Sequence, residues 1–246
     1  MKEQRTHDHF YVNEDRYDKP KSSFLQIIEL LKKNIKNPQV FNGRMCDFGC
    51  ATGEFIYLLQ KDFINADIHG YDILQPLIEH AKLKTGNKKT SYFIGDVRDE
   101  KLCENEISDI TFLLGVLPAF DRFETTLQNL INWTKDKGII YVHSLFNKYP
   151  VDVYTKYNYS KDYEKGVIEV GWNQHSRESI SNWLKKNRNV SKFSFVDLKI
   201  DFDLPFREED PMRSWTYRDK DNNRQLTNGA SLIHNQAILE IFVNKK

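Results

Sequence analysis

The chain has 246 residues, which suits a single α/β domain with one hydrophobic core. Its 36 Lys and Arg residues against 35 Asp and Glu residues leave a formal net charge of +1, which gives no electrostatic footprint for binding nucleic acid. Three cysteines without a CxxC motif argue against a disulfide framework or a zinc site, and the lack of a long apolar run or an apolar leader predicts a cytoplasmic protein without membrane contact.

The chain begins with a polar arm, residues 1–21, in which aromatic residues are interspersed. His7 and His9 lie in this arm as an HDH triplet, but no matched ligand set follows them, so we expect no metal site. From Ser22 a helix is predicted, because apolar residues recur at helical spacing after a serine cap. Pro38 ends that pattern.

Strands and helices alternate over the next hundred residues. Strands are predicted near Arg44–Phe48, Asp67–Tyr71, Ser91–Ile94, Asp109–Leu117 and Gly138–Ser144. Helices are predicted near Glu54–Lys61, from Pro76 to about Gly86, and near Phe123–Thr134. This alternation favours a mostly parallel sheet covered by helices on both faces, with ligands bound beyond the carboxyl ends of the strands.

The pattern changes in the distal part of the chain. A polar, Tyr-rich insert contains one short predicted strand near Gly166–Val170, and Ser176 then caps an amphipathic helix. Two later strands are predicted near Lys192–Ile200 and Ala237–Val243, with a polar stretch between them. We expect these strands to form an antiparallel hairpin at the sheet edge and the insert to cover the mouth of the active site. One domain is predicted, 1–246, with an arm (1–21), a core (22–145), an insert (146–175) and a C-terminal helix and hairpin (176–246).

The segment MCDFGCATGEF, residues 45–55, carries the most specific signal in the chain. An apolar run ends in Asp47, the small-residue turn GCATG follows, and an apolar helical pattern then begins. A strand, a tight loop and a helix start bring backbone N–H groups and the helix dipole to one mouth, which suits an anionic group. Two further acids, Asp72 and Asp96, close the next two short apolar runs.

Three strand-ending acids in this order, with LLGVLPAF where a fourth strand ends, resemble the class I S-adenosylmethionine-dependent methyltransferases. The rival is a nicotinamide or flavin site, whose GxGxxG fingerprint would read Gly49, Ala51 and Glu54, and the glutamate counts against it. The resemblance covers residues 40–145. It implies a Rossmann-like α/β fold with a mostly parallel seven-stranded sheet, helices on both faces, an antiparallel C-terminal hairpin and an insert over the active site.

The resemblance also implies S-adenosylmethionine as the cofactor and assigns its parts to residues. Asp47 would meet the ammonium of the methionyl end, while backbone amides of the loop hold its carboxylate. Asp72 would accept the ribose hydroxyls and Asp96 the adenine amino group, with apolar neighbours on the two faces of the ring. The implied cofactor-binding residues are Asp47, Gly49, Cys50, Ala51, Gly53, Asp72, Ile73, Asp96, Val97 and Leu114.

Candidates for catalysis and acceptor binding follow the fourth and fifth strands. The candidate catalytic residues are His143, Asn147 and Asp121, and the candidate acceptor-binding residues are Trp172, Asn173 and His175. A core histidine is the alternative for His143, and a loop anchored by Trp172 is the alternative for the second set. A base is needed only where the nucleophile must lose a proton, as a sugar hydroxyl does. Tyr11 and Tyr17 either close over the cofactor as a lid or belong to a free arm.

The acceptor is the least specified part of this interpretation. The distal half is loosely similar to small-molecule methyltransferases of surface-polysaccharide and secondary-metabolite pathways, which implies a sugar or nucleotide-linked sugar hydroxyl. Arg207, Arg213 and Arg224 either contact a phosphate or carboxylate of the acceptor or pair with neighbouring acids. The alternatives are an N-methyltransferase of a small amine, an RNA methyltransferase and a non-catalytic cofactor-binding module. We expect a small-molecule acceptor and no nucleic-acid partner.

Overall fold

The computed structural model describes residues 11, 14 and 16–245 of the chain. The helices are α1 (Ser22–Asn34), α2 (Glu54–Asp62), α3 (Gln75–Thr85), α4 (Glu124–Trp133) and α5 (Arg177–Leu184). The strands are β1 (Arg44–Phe48), β2 (Asp67–Asp72), β3 (Thr90–Ile94), β4 (Ser108–Leu114), β5 (Thr134–Asn147), β6 (Lys156–Tyr157), β7 (Glu169–Val170), β8 (His175–Ser176), β9 (Val190–Asp197), β10 (Trp215–Arg218), β11 (Arg224–Thr227) and β12 (Gln236–Val243). His7 and His9 lie outside the described residues, so the prediction made for them stays a prediction.

The main sheet has the strand order β3-β2-β1-β4-β5-β12-β9, and the short strand β8 pairs with the end of β5. The first five strands run parallel, whereas β12 runs antiparallel to both β5 and β9. The predicted fold class is therefore confirmed, including the antiparallel C-terminal pair. The strand order reverses between β1 and β4, and such a switch point opens a crevice at the carboxyl ends of the strands.

The register of the strands brings their carboxyl ends to one edge. Phe48 of β1 lies beside Tyr71 of β2 and Leu113 of β4, and Asp72 at the end of β2 lies beside Ile94 at the end of β3. The residues that follow these strands therefore meet at the crevice.

Apolar side chains on the two faces of the sheet form two buried clusters. One cluster packs α1, α2 and α3 on the sheet through residues such as Ile27, Leu59 and Ile78. The other packs α4 and α5 on the opposite face, with Leu130 and Ile180 fully buried. Each fully buried aliphatic side chain contributes ~1.5–3 kcal/mol relative to an exposed one, so this packing holds the sheet rigid beneath the crevice.

The structure differs from the predicted elements mainly at their ends. Ser176 caps α5 as expected, its hydroxyl accepting from the Ser179 N–H at 3.0 Å, but Ser22 is the first residue of α1 and Lys21 precedes the helix. The polar stretch between β9 and β12 contains a hairpin, β10–β11. Its turn is closed by Asp219, which accepts backbone N–H groups of Asp221 and Asn223. Across the described residues, no helix has the length and apolar character that crossing a bilayer requires.

Candidate cofactor and acceptor site

A cavity of about 1170 Å³ opens at the carboxyl ends of the parallel strands. Its lining comes from the ends of β1 to β5, the start of α1 and residues 166–170 of the insert. We call Asp47, Asp72 and Asp96 the carboxylate wall of this cavity. Lys21, His143 and residues 166–170, which line the same cavity, are called the composite wall. This volume is slightly above the roughly 300–1,000 Å³ that is typical of a pocket for one small molecule.

The GCATG loop after β1 depends on two glycines in the left-handed region. Gly49 has φ 77° and a Cβ there would lie 2.2 Å from a methyl carbon of Val116. Gly53 has φ 82°, and its Cβ would lie 2.9 Å from the Thr85 hydroxyl oxygen, on the side of α3. Gly49 lines the cavity, but Gly53 lies behind the loop, where it lets α2 start close to α3.

The backbone amides of this loop are engaged within the protein. The N–H groups of Gly49 and Cys50 both donate to the Tyr71 carbonyl, at 2.7 and 3.0 Å, and the Gly53 N–H donates to the Cys50 carbonyl. The Ala51 N–H donates to Asp72 at 2.9 Å. Four of the five loop amides are thus already bonded within the protein. The N-terminus of α2 belongs to the same expected anion site, and the N–H groups of its first turn have no partner within the helix, so the carboxylate contact stays a prediction.

Asp47 presents a buried carboxylate to the cavity. The residue is 1% exposed, and its Oδ1 atom has no hydrogen-bond partner among the described residues. Burial, and secondarily the charge of Asp72, raises the pKa of Asp47 to about 8. A buried carboxylate without a partner is costly, so this position is complementary to a bound cation. The ammonium assigned to Asp47 fits that requirement.

Asp72 braces the loop from the end of β2. One carboxylate oxygen accepts from the Ala51 N–H and the other accepts from the Leu74 N–H, both at 2.9 Å. Both carboxylate oxygens thus hold backbone N–H groups around the loop. The structure therefore adds a positioning role to the ribose contact, which stays a prediction.

Asp96 forms a bidentate ion pair with Arg98 at the end of β3. The Arg98 Nε and Nη2 groups donate to the two oxygens of Asp96 at 3.0 and 2.7 Å. Sequence reasoning missed Arg98, which lines the cavity in addition to the predicted apolar residues Ile73, Val97 and Leu114. The adenine contact of Asp96 stays a prediction, with one side of its carboxylate already held by the guanidinium.

His143 lines the cavity near the C-terminal end of β5. Its Nε2 lies 3.2 Å from the Gln236 amide oxygen, an acceptor, so Nε2 carries the hydrogen and Nδ1 keeps its lone pair. Burial lowers the pKa of His143 to about 4; the hydrogen bond that His143 donates to Gln236 opposes this shift, and the charge of Lys21 adds to it. The imidazole is therefore neutral at physiological pH and able to accept a proton.

The other candidates divide between the cavity and the loops behind it. Asp121 lines the cavity and accepts from the Asn173 side chain at 3.0 Å. Asn147 does not line the cavity, because its amide holds the following turn through the Val151 carbonyl and the Tyr149 N–H. The structure places this side chain in the turn after β5, and its catalytic role stays a prediction.

The three predicted acceptor-binding residues also lie outside the cavity lining. Trp172 stacks on His234 with ring centroids 5.5 Å apart, and buried Asn173 donates to the Phe120 carbonyl. His175 is 1% exposed and its Nε2 lies 3.1 Å from the same Phe120 carbonyl. Asn173 and His175 thus anchor the insert to the loop after β4, and Asn173 also holds Asp121. The insert reaches the cavity through residues 166–170 instead.

Three residues near the N terminus also contribute to the site. Tyr11 and Lys21 line the cavity, and the Tyr17 hydroxyl donates to the Thr52 carbonyl of the GCATG loop at 2.7 Å. The described part of the arm thus packs on the loop. No sequence pattern marked Lys21, because a lysine before a helix is common.

The three arginines predicted as possible acceptor contacts lie outside the cavity lining. Arg213 pairs with Glu14 and lies 3.9 Å from Asp210, Arg224 pairs with Asp203, and none of the three predicted arginines lines the cavity. Among the described residues no cluster of His, Cys, Asp and Glu has the composition of a metal site.

Comparison with known proteins gives consistent matches. The sequence family described as a methyltransferase domain matches residues 15–189. A carboxy-S-adenosyl-L-methionine synthase of Campylobacter lari is 20% identical over 185 residues, 72% of this chain and 78% of that protein.

Two solved structures are similar over nearly the whole chain. A Listeria monocytogenes protein described as an S-adenosylmethionine-dependent methyltransferase superposes with TM-score 0.59 at 12% identity, covering 91% of this chain and 99% of that one. A chain of the complex between the Haloferax volcanii Trm112 methyltransferase activator and a methyltransferase gives TM-score 0.58 at 12% identity, with 99% and 100% covered. At such identities these structures establish the fold alone.

Proposed function

The chain belongs to the methyltransferase-domain family as an S-adenosylmethionine-dependent enzyme, and from that premise we propose that it methylates a hydroxyl group of a small polar metabolite of the sugar class. The observation that carries this proposal is the cavity, in which a neutral, oriented imidazole and three strand-end carboxylates meet. The cofactor, when bound, supplies a methyl group on a sulfonium, which is transferred by in-line displacement. The rest of the chemistry falls to residues of this chain.

The carboxylate wall fits the cofactor in charge and in space. Asp47 offers the methionyl ammonium a carboxylate that has an unpaired oxygen, and Gly49 keeps the loop free of a side chain where the backbone borders the cavity. Asp72 and Asp96 supply acceptor oxygens for the ribose and the adenine amino group. Because the loop and these acids are fixed by hydrogen bonds within the protein, the site is organised before the cofactor binds.

His143 is the proposed general base. A hydroxyl that gains a methyl group becomes strongly acidic, so a base of low basicity removes its proton provided that the base is neutral and correctly oriented. Gln236 fixes the tautomer by accepting from Nε2, which leaves Nδ1 to take the proton. Alignment of the two reacting groups supplies a further ~7–11 kcal/mol of the barrier in well-oriented systems.

A small polar acceptor agrees with the remaining lining of the cavity. Asp121, Glu169 and Lys21 bring hydrogen-bonding groups, while Val167 and Ile168 bring apolar surface. The balanced charge of the chain gives no support to an RNA substrate. An amine acceptor would need no base, so the presence of an oriented neutral histidine favours oxygen over nitrogen.

The test is an acceptor screen with purified protein and S-adenosylmethionine, read by release of S-adenosylhomocysteine and by mass of the product. We expect a mass increase of one methyl group on sugars or nucleotide-linked sugars. The cofactor itself is followed by mass as well, because the Campylobacter lari relative is named for synthesis of a carboxylated cofactor. Turnover of amines but not hydroxyl compounds, or conversion of the cofactor without a methylated acceptor, would contradict the proposal.

A further inference from the structure

We propose that Lys21 selects the acceptor, and that the group it binds is an anion, a carboxylate or a phosphate monoester, carried by the acceptor near the hydroxyl that is methylated. This inference rests on the proposed function, because it names the substrate class of the same site. The proposal rests on the position of Lys21 in the composite wall.

The backbone of Lys21 is fixed at the start of α1. Its carbonyl oxygen accepts from the N–H groups of Phe24 and Leu25, at 2.9 and 3.3 Å. The side chain extends into the cavity lining, where its ammonium nitrogen lies 5.3 Å from the ring centroids of both Tyr11 and Phe24. Two aromatic rings at this distance hold a cation in place without neutralising its charge.

The charge of Lys21 is not cancelled by a close acid. Among the ion pairs of residues 11, 14 and 16–245, none within 4.0 Å involves Lys21. Burial lowers the pKa of Lys21 to about 8, the nearby Glu54 carboxylate opposes that shift, and Arg16 adds to it. The ammonium is also close enough to His143 to lower the pKa of that imidazole. A charged group thus faces the cavity beside the proposed base.

The other cations at the cavity are held or exposed. Arg98 donates two hydrogen bonds to Asp96, which accounts for its charge. Arg122 lies 3.3 Å from Glu124 and its side chain is 81% exposed, so water screens it. Lys21 is the half-buried cation beside His143. An anionic acceptor would therefore gain a charge-assisted hydrogen bond there that a neutral sugar lacks.

A purely structural role is the competing explanation, since Lys21 also lies near Glu54. That role predicts a loss of stability in Lys21→Met without any change in ligand preference. Lys61 provides a matched control, because its ammonium lies 4.3 Å from the Tyr57 ring but it does not line the cavity.

The experiment measures binding to the complex with S-adenosylhomocysteine by calorimetry at constant ionic strength. The probes are glucose, glucuronate and glucose 6-phosphate, titrated into wild type, Lys21→Met, Lys21→Arg and Lys61→Met. We expect both anions, or one of them, to bind wild type and Lys61→Met about tenfold or more tightly than glucose. The preferred anion tells whether a carboxylate or a phosphate is recognised. Lys21→Met should remove the preference and Lys21→Arg should keep it.

Two results would overturn the inference. One is equal binding of glucose and both anions to wild type, and the other is a preference for anions that survives in Lys21→Met, whatever its thermal stability. Calorimetry measures binding without turnover, so the result for the anion site is independent of the result for methyl transfer. If no acceptor is methylated while the anion preference still depends on Lys21, methyl transfer fails and the anion site stands.

Discussion

The carboxylate wall and the composite wall of the cavity are built in different ways. The carboxylate wall comes from one continuous stretch, in which each acid lies at or just beyond the carboxyl end of a neighbouring parallel strand. Asp72 and Asp96 are tied to nearby backbone amides or to Arg98, whereas Asp47 is buried with one oxygen unpartnered among the described residues. The composite wall joins a lysine before α1, a histidine on β5 and an insert segment.

This difference separates the two tasks of the enzyme. A wall built from adjacent strand ends has a geometry fixed by the sheet register, which suits a cofactor that does not change. A wall assembled from three distant segments can change at each segment independently, which suits a variable acceptor. Substitutions in each wall test this division.

The largest effect is expected from His143→Gln, which alters the composite wall alone. Glutamine keeps a polar side chain but does not take the proton, so the methylation rate should fall about 100- to 10,000-fold while affinity for S-adenosylhomocysteine persists. Single-turnover kinetics and calorimetry measure the two quantities. His80→Gln, outside the cavity lining, is the control. An unchanged methylation rate would show that His143 is a core residue and not the base.

Asp72→Ala should break the carboxylate wall. The substitution leaves the Ala51 and Leu74 amides without their acceptor and removes the proposed ribose contact, at ~1–3 kcal/mol for each unsatisfied group. Cofactor affinity should fall by about 30-fold or more. Asp67→Ala, at the other end of the same strand, is the matched control. Wild-type affinity in Asp72→Ala, measured by calorimetry, would show that the loop does not need this brace.

Asp47 gives the carboxylate wall a pH signature of its own. Its pKa is about 8 in the folded protein, chiefly through burial, against ~3.9 in an unfolded chain. Between these values the folded state holds the extra proton, so this carboxyl makes the unliganded protein less stable as pH rises from about 4 to 8.

Binding of the cofactor ammonium should reverse that preference, because it favours the ionised carboxylate. Below pH 8 the binding of S-adenosylhomocysteine should therefore release a proton. Calorimetry at one pH in two buffers of different ionisation enthalpy measures this release, and Asp47→Asn should abolish it. Equal heats in both buffers for wild type would contradict the assignment of Asp47.

The smallest effect compares Gly53, which lies behind the loop of the carboxylate wall, with Gly166, which lies in the composite wall. Gly53→Ala and Gly166→Ala both place a side chain at positive φ, which costs ~1–2 kcal/mol. A Cβ at Gly53 would also crowd the Thr85 hydroxyl, whereas none of the described atoms lies within 4 Å of one at Gly166. Thermal unfolding should therefore show the larger loss of stability for Gly53→Ala. Equal losses would mean that the loop tolerates movement away from α3.

The sequence predicted the fold and most of the carboxylate wall, because their signals are local. Apolar runs mark the strands, and each acid at a strand end is positioned by the register of its own neighbours. Nine of the ten predicted cofactor-binding residues line the cavity, Gly53 being the exception. The local sequence does not show which backbone N–H groups are already bonded. The amides of the loop after β1 donate to Tyr71 and Asp72 on the neighbouring strand β2.

The composite wall was harder to predict, because its contacts join residues far apart in the chain. Trp172, Asn173 and His175 attracted attention as polar and aromatic residues before a capped helix, yet they anchor the insert. The segment that reaches the cavity, residues 166–170, has an ordinary composition, and Lys21 has no motif around it. Only the tertiary structure brings Lys21 and residues 166–170 to the same cavity as His143.

The most direct test of the account is calorimetric titration of the purified protein with S-adenosylhomocysteine. We predict saturable binding at one site per chain, weakened in Asp72→Ala and retained in His143→Gln. The absence of binding to the wild-type protein, or equal binding in Asp72→Ala, would contradict the claim that strand-end carboxylates hold the cofactor in this cavity.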